Sequence, residues 1–274
     1  MRSKPRISDS ENGLAGSSLH EACALKRGSR SSLRRGSIAF GILCVTWLLL
    51  GARLGGVACA ADAKAPVIVS FGDSTTATRG ALRVYSRVLQ EELPKRGLPV
   101  QVINAGVGGN NTVMARKRFQ KDVLDRKPAV VIVQFGINDA AVDVWKTPAA
   151  TEPRVSLKTY EANLRFFIKS IRANGAQPIL MTPNPLRWTP KLKKRYGKAP
   201  YVADDKDGFN ALLREFAGKA REIAKDEKVP LIDIYRAMES SADELLLDGM
   251  HPNDKGQLQV AEKLMPVVIA ALKK

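Results

Sequence analysis

The sequence predicts an α/β fold, a three-layer sandwich with a central five-stranded parallel sheet and helices on both faces. Three observations carry this. Short apolar runs alternate with longer amphipathic stretches after residue 65. The runs are rich in Val, Ile and Leu without polar alternation, as strands covered on both faces require. The stretches between them repeat apolar residues at helical spacing.

The strand candidates are Pro66 to Phe71, Pro99 to Asn104, Ala129 to Phe135, Gln177 to Met181 and Pro230 to Ile234. Tyr160, Leu164, Phe167, Ile168 and Ile171 share one helical face, and Leu212, Phe216, Ala220 and Ile223 share another. A last helix is expected after Pro252, presenting Leu258, Ala261, Leu264 and Val268, with Pro266 as an interruption that would kink it. Strands that alternate with helices favour parallel pairing. Right-handed crossovers then bring every strand-to-helix loop to the carboxyl edge of the sheet, where ligands bind in folds of this kind.

Residues 1–60 form a separate region, a basic leader followed by a signal segment. Met1 to Arg35 is rich in Ser, Gly and Arg and reads as disordered. Ile38 to Ala52 is apolar but, at 15 residues, short for a membrane span, which takes about 20. Arg34 and Arg35 precede it and Ala58-Cys59-Ala60 follows it, the pattern of a secretory signal cleaved after Ala60. Export to the periplasm or the exterior is the expectation. Retention as a membrane anchor, or lipid attachment at Cys59, would be the only membrane contact. Cys23, Cys44 and Cys59 all fall in this leader, so the single catalytic domain expected over residues 65–274 holds no disulfide framework and no thiolate metal site.

The chain carries a formal net charge of +17, of which the region after residue 60 keeps +11. That balance favours acidic partners or surfaces. Nucleic acid is not expected as a partner, because no helix-turn-helix, zinc-finger or RNA-binding aromatic signature occurs. Asp204, Asp205 and Asp207 with Gly208 miss the calcium-loop spacing, since Ala203 and Arg214 would fall at its first and twelfth positions. One histidine and no cysteine beyond the leader exclude a zinc set. No cofactor is expected.

Four segments carry chemistry. Gly72-Asp73-Ser74-Thr75-Thr76 follows the first strand; it is not the G-x-S-x-G elbow, because Thr76 stands at the last position. A serine opening the next helix would meet free N–H groups and the positive end of the helix dipole, or would simply be an N-cap. Asn104-Ala105-Gly106-Val107-Gly108-Gly109-Asn110-Asn111-Thr112 follows the second strand. It matches neither the dinucleotide fingerprint nor the phosphate-binding loop. Gly136-Ile137-Asn138-Asp139 follows the third, and Asn138 can donate a side-chain N–H or make a turn. Asp248-Gly249-Met250-His251-Pro252 holds the one histidine beyond the leader. A carboxylate three residues before the imidazole can take its Nδ1 proton and leave Nε2 to face Ser74. A serine hydroxyl needs such a base to become a nucleophile.

The four segments, in this order, resemble the SGNH hydrolase superfamily, the GDSL-type esterases and lipases. The resemblance spans about residues 65 to 274 and implies the flavodoxin-like SGNH hydrolase fold. It implies Ser74 as nucleophile, Asp248 and His251 as its triad partners, and an oxyanion hole from the N–H groups of Ser74 and Gly109 and the side chain of Asn138. Thr75 stands where the family name has Leu, which argues against assuming a lipase. The implied reaction is hydrolysis of a small acyl ester through an acyl-serine, on a small-molecule or carbohydrate ester such as an acetylated sugar. A lipase or lysophospholipase of the same superfamily would need an apolar acyl channel. A carbohydrate-binding protein that keeps the fold without catalysis is the other rival.

The connection between Pro183 and Asn210 is long and interleaves Trp188, Tyr196 and Tyr201 with Arg187, Lys191, Lys193, Lys194, Arg195 and Lys198. Folded over the sheet edge it would stack sugar rings and attract acidic groups; otherwise it is a solvated basic surface. Asn184 and Arg187, just after the fourth strand, are the residues expected to reach a substrate.

Overall fold

The computed structural model describes residues 64–273, so the leader, the signal segment and the three cysteines lie outside the described residues. The elements in order are β1 (Val67–Gly72), α1 (Tyr85–Lys95), β2 (Gln101–Gly106), α2 (Thr112–Asp122), β3 (Val130–Gln134), α3 (Ile137–Ala140), α4 (Leu157–Ala173) and β4 (Gln177–Met181). Then come α5 (Pro190–Tyr196), α6 (Ala211–Asp226), β5 (Leu231–Ile232), α7 (Ile234–Met238), α8 (Ala242–Leu245) and α9 (Asp254–Leu272). The five strands pair in parallel in the order β2-β1-β3-β4-β5.

The strand residues alternate between two cores. Val67, Val69, Phe71, Val131, Val133 and Leu180 pack under α2, α4 and α6. Ile68, Val130, Ile132, Ile179 and Met181 pack under α1 and α9. Both faces of the central strands are thus covered, which is why their sequences read as unbroken apolar runs. The first core is dense in aromatic rings. Phe71 lies 5.1 to 5.5 Å, centroid to centroid, from Phe119, Phe135 and Phe167. Such tilted and edge-on pairs stabilise beyond their area alone.

Four expectations need correction. β2 is an edge strand and only half-buried, with Gln101 exposed, so it is not covered like its neighbours. On α6 the buried stripe runs through Leu213, Phe216, Ala217, Ala220 and Ile223, with Leu212 half-buried beside it. On α9 the stripe holds Val260, Ala261, Leu264 and Val268, and Leu258 is 42% exposed. α9 also runs through Pro266 as one helix. Pro266 and Glu262, whose carbonyl loses its partner, both face solvent, so water can replace the missing hydrogen bond.

Among the described residues no helix is long and apolar enough to cross a membrane. The loops at the carboxyl edge are tied down by side-chain caps. Asn111 Oδ1 accepts from Met114 N–H at the start of α2, and Asn253 Oδ1 accepts from Gly256 N–H at the start of α9.

Asp139 joins α2 to α3 from within the protein. Its Oδ1 accepts from Thr112 N–H at 2.9 Å and from Thr112 Oγ1 at 2.5 Å. Its Oδ2 is buried without a partner. Burial pushes the Asp139 carboxyl up to about 7, against the Thr112 hydrogen bonds and with the Asp73 charge adding to the rise.

Two measurements follow from this packing. Phe71→Ala should cost about 3–5 kcal/mol by chemical denaturation, because it empties a site between three rings. The Asp139 carboxyl, ordinarily ionised above about 4, is held protonated up to about 7. Folding therefore takes up a proton between those values, and the fold loses stability as pH rises through the window. Relative to Asp139→Asn, the parent should lose up to about 1 kcal/mol per pH unit between pH 4 and 7. Parallel denaturation curves for the two proteins across that range would refute the assignment.

Candidate active site

Parallel register fixes the site's frame. Gly72 at the end of β1 is level with Gly106 of β2 and Gln134 of β3. The three loops that follow therefore leave the sheet side by side. Gly72 and Gly106 are glycines for want of space. A Cβ on Gly72 would stand 2.9 Å from the Gln134 carbonyl oxygen, and one on Gly106 would stand 2.7 Å from Thr76 C.

The Ser74 loop is a tight turn built on Asp73. Thr75 N–H and Thr75 Oγ1 each approach Asp73 Oδ1 at 2.8 Å, and Ala77 N–H donates to the Asp73 carbonyl at 3.0 Å. Burial pushes the Asp73 carboxyl above its ordinary range, against the opposing Thr75 hydrogen bonds. Gln134 closes the base of the turn, its Oε1 lying 3.2 Å from Thr75 Oγ1 and 3.3 Å from Thr76 Oγ1. One expectation fails here. Ser74 does not open a helix, since α1 starts only at Tyr85, so no helix dipole acts on it. The free donors come from the turn itself. Among the described residues no acceptor takes the backbone N–H of Ser74 or of Gly109.

His251 reaches this turn from the far end of the chain. Its Nε2 lies 3.0 Å from Ser74 Oγ. Its Nδ1 lies 2.8 Å from Asp248 Oδ2 and 2.9 Å from Oδ1. The carboxylate fixes the proton on Nδ1 and leaves Nε2 as an acceptor for the hydroxyl. Asp248 Oδ1 also accepts from the N–H groups of Met250 and His251, so the loop is wrapped around its own carboxylate. Burial works to raise the Asp248 carboxyl, but the hydrogen bonds from the His251 ring and backbone outweigh it and hold it below the ordinary range. Gly249 makes the bend with φ of +82°, and Arg187 N–H donates to its carbonyl at 2.8 Å.

Gly109 has φ of +74° and sits in the exposed β2–α2 loop. Asn138, in the single turn of α3, is buried between three partners. Its Oδ1 accepts from Arg154 Nη1 at 3.2 Å; its Nδ2 donates to the Asn110 carbonyl at 3.1 Å and lies 3.5 Å from Asp73 Oδ2. The second N–H, engaged only at 3.5 Å, is the one a ligand oxygen can draw away.

Asn184 and Arg187 do not reach a substrate. Asn184 is fully buried, and its Nδ2 donates to the Met250 carbonyl at 2.9 Å, bracing the histidine loop. Arg187 is buried under the Pro183–Asn210 connection. It donates to the Leu186 and Glu239 carbonyls and pairs with Asp207 at 3.3 Å. A guanidinium this buried is held where carbonyls and a carboxylate can neutralise it, which takes it away from the pocket.

The same packing overturns the sugar-stacking expectation for that connection. Trp188 stacks on Phe209 at 4.3 Å, and Tyr196 and Tyr201 close around Phe209 edge-on or tilted. The rings are spent on each other and form a cap, with α5 on its outer side. Under the cap lies a cavity of about 220 Å³ lined by Gly109, Ile137, Asn138, Leu186, Tyr201, Phe209, Leu213 and Met250, among others. It is mostly apolar and opens beside the two residues implied for the oxyanion hole.

Four supporting residues were missed from sequence. Arg118 donates to the Gly72 carbonyl at 2.9 Å, the Ala105 carbonyl at 2.8 Å and Asn110 Oδ1 at 2.8 Å, clamping the first two loops together. Arg154 is held by Asp143 at 2.6 Å and orients Asn138. Gln257 of α9 donates to the Thr75 carbonyl at 3.1 Å and accepts from Tyr85 N–H at 2.8 Å. Asn104 Nδ2 donates to the Thr76 carbonyl at 2.7 Å. Asn104 stood in a quoted segment, but nothing in the local pattern marks the other three, whose contacts with Gly72, Asn138 and Thr75 are made only by the folded chain.

A serine, an imidazole and a carboxylate in one hydrogen-bonded line, with N–H donors converging beside them, can carry out acyl transfer. Comparison with known proteins agrees with this. Residues 70–258 match the model of the GDSL-like lipase/acylhydrolase family. The chain is 35% identical over 181 residues to the lipoprotein YqeF of Bacillus subtilis, covering 62% of this chain and 70% of that one. It is 26% identical over 199 residues to an acetylxylan esterase of Geobacillus stearothermophilus, covering 72% of this chain and 82% of the relative. Among solved structures, a lipase/acylhydrolase from Enterococcus faecalis superposes with a TM-score of 0.59 at 27% identity, over 74% of this chain and 95% of that one. The chain belongs to the GDSL-like lipase/acylhydrolase family and is a carboxylic ester hydrolase with the SGNH fold.

Proposed function

We propose that the protein is an exported serine esterase that removes small acyl groups, acetyl foremost, from carbohydrate esters through an acyl-Ser74 intermediate. The observation that carries the mechanism is the 3.0 Å contact between Ser74 Oγ and His251 Nε2, with Asp248 on the other ring nitrogen. His251 takes the hydroxyl proton as Ser74 attacks the ester carbonyl. The Ser74 and Gly109 N–H groups and the Asn138 amide then meet the oxyanion. His251 returns the proton to the leaving alcohol, and water repeats the sequence on the acyl-enzyme. No metal or cofactor enters a step.

The acetyl-carbohydrate reading is supported by the acetylxylan esterases among the relatives. Export is supported by the basic lead, apolar stretch and Ala58-Cys59-Ala60 pattern, and by the relative named as a lipoprotein. A second reading has a specific observation in its favour. The apolar cavity beside Gly109 and Asn138 has room for an acyl chain longer than acetyl, as a lipase or lysophospholipase of the superfamily would use.

Ser74→Ala should lower hydrolysis of 4-nitrophenyl acetate by at least about a thousandfold while leaving the folded signal intact. Fluorophosphonate should label the parent and not the variant. Hydrolysis that survives this change, or a parent that stays unlabelled, refutes the acyl-serine mechanism and favours a carbohydrate-binding role. A series of 4-nitrophenyl esters from acetate to octanoate separates the two substrate readings. The acetyl reading expects kcat/KM to fall from acetate onward. A maximum at longer chains, moved back toward acetate by Leu212→Phe at the cavity wall, would establish the second reading instead.

A further inference from the structure

We infer that the esters this enzyme prefers carry a carboxylate on their alcohol half, bound by Lys191 and Arg195 of α5. This rests on the acyl-serine reading above. That reading fixes which half of the ester lies where. The leaving oxygen must take its proton from His251, so the alcohol half departs on the histidine side of the carbonyl. The acyl half then points the other way, toward the cavity beyond Gly109 and Asn138.

On the histidine side there is a second hollow. It has a volume of about 380 Å³ and is lined by Thr189, Lys191, Leu192, Arg195, Asp248 and Met250, with Tyr196 at its inner wall. Asp248 places it on the histidine loop, while Met250 and Tyr196 line both hollows and stand between them. Lys191 and Arg195 are four residues apart on α5 and so share the face that borders the hollow.

The charge on α5 is unusual for this protein. Its seven residues hold Lys191, Lys193, Lys194 and Arg195 with no acid among them. Among the described residues, no carboxylate lies within 4.0 Å of any of these four. Other helices hold both paired and unpaired cations among the described residues: Arg87 pairs with Glu91, Lys95 with Glu92, Arg165 with Glu161, Asp226 and Glu227, and Lys219 with Glu161 and Glu222, whereas Lys117, Lys121, Lys169 and Lys263 have no carboxylate within 4.0 Å. α1, α2, α4 and α6 each hold at least one acid within the helix, and α5 holds none.

Arg195 is also held in place. Its guanidinium lies 4.3 Å from the centre of the Trp145 ring, and that ring is 42% exposed. Stacking uses the flat face of the guanidinium and leaves its N–H edge free, the edge that a carboxylate binds in a fork. A fixed fork and a flexible ammonium beside the departing alcohol form a recognition site for an anion that the reaction itself does not need.

The test compares two acetyl esters of the same shape, 4-acetoxybenzoate and its methyl ester. The methyl ester has the better leaving group, so chemistry alone favours the neutral compound. We expect kcat/KM for the anion to exceed that for the neutral ester by about fivefold at low salt, the range of exposed ion pairs. The preference should shrink at high ionic strength. Lys191→Ala with Arg195→Ala should bring the ratio to one or below. Lys263→Ala, which removes one charge from the distant α9, should leave it unchanged. A ratio rather than a rate is read, so loss of folded protein in a variant moves neither outcome. A parent ratio at or below one, a ratio that survives the double change, or an equal loss with Lys263→Ala overturns the inference. Failure of the parent to cleave either ester would instead overturn the esterase reading beneath it.

Discussion

Parallel pairing of β1 with both of its neighbours is the constraint on which the site depends. Gly72, Gly106 and Gln134 stand level at one edge, so the loops after β2 and β3 each start one strand spacing from the serine loop, on either side of it. A slip of one residue in either pairing would turn Phe71 or Val133 out of the aromatic core and shift a loop bearing Ser74, Gly109 or Asn138. The packing that fixes the sheet therefore also fixes the chemistry. This is why Phe71, whose ring touches three others, sits three residues before the serine.

Above the sheet the geometry passes to polar side chains. Asp73, Asp139 and Asn138 are buried, and their hydrogen bonds hold the turns that carry the reacting groups. Burying two carboxyls close together costs stability, and the raised affinity of both for protons records that cost. The return is a set of turns whose free N–H groups need not reorganise when charge develops nearby. Arg118 and Arg154 serve the same end, Arg118 reinforcing the end of the β1–β2 ladder and Arg154 bridging Asn138 and Asp143.

The sheet was legible because its central strands are buried on both faces and so lack alternation. All five strand positions were found, β4 with its bounds exact and the others with ends shifted by one or two residues. β2 misled because an edge strand can carry the same Val-Ile pairs while half in contact with water. Ser74, Asp248 and His251 were legible because one histidine served the region after the leader and a carboxylate stood three residues before it. Asn184 and Arg187 were misread because position after a strand does not tell which way a side chain turns. Arg187 turned inward to the carbonyls of Leu186 and Glu239. The aromatic residues of the 183–210 connection were misread likewise, since composition cannot distinguish rings offered to a ligand from rings packed on one another.

The histidine and serine stand 177 residues apart, and the link between their loops is completed by α9, whose Gln257 grips the Thr75 carbonyl. The same helix covers one face of the sheet, where Val260, Leu264 and Val268 pack with Ile68, Ile132 and Ile179. The capacity to cleave esters therefore arrives only when α9 docks against the serine turn. Removing residues 251–274 would take away at once the group that draws off the proton and the helix that shields one face of the sheet.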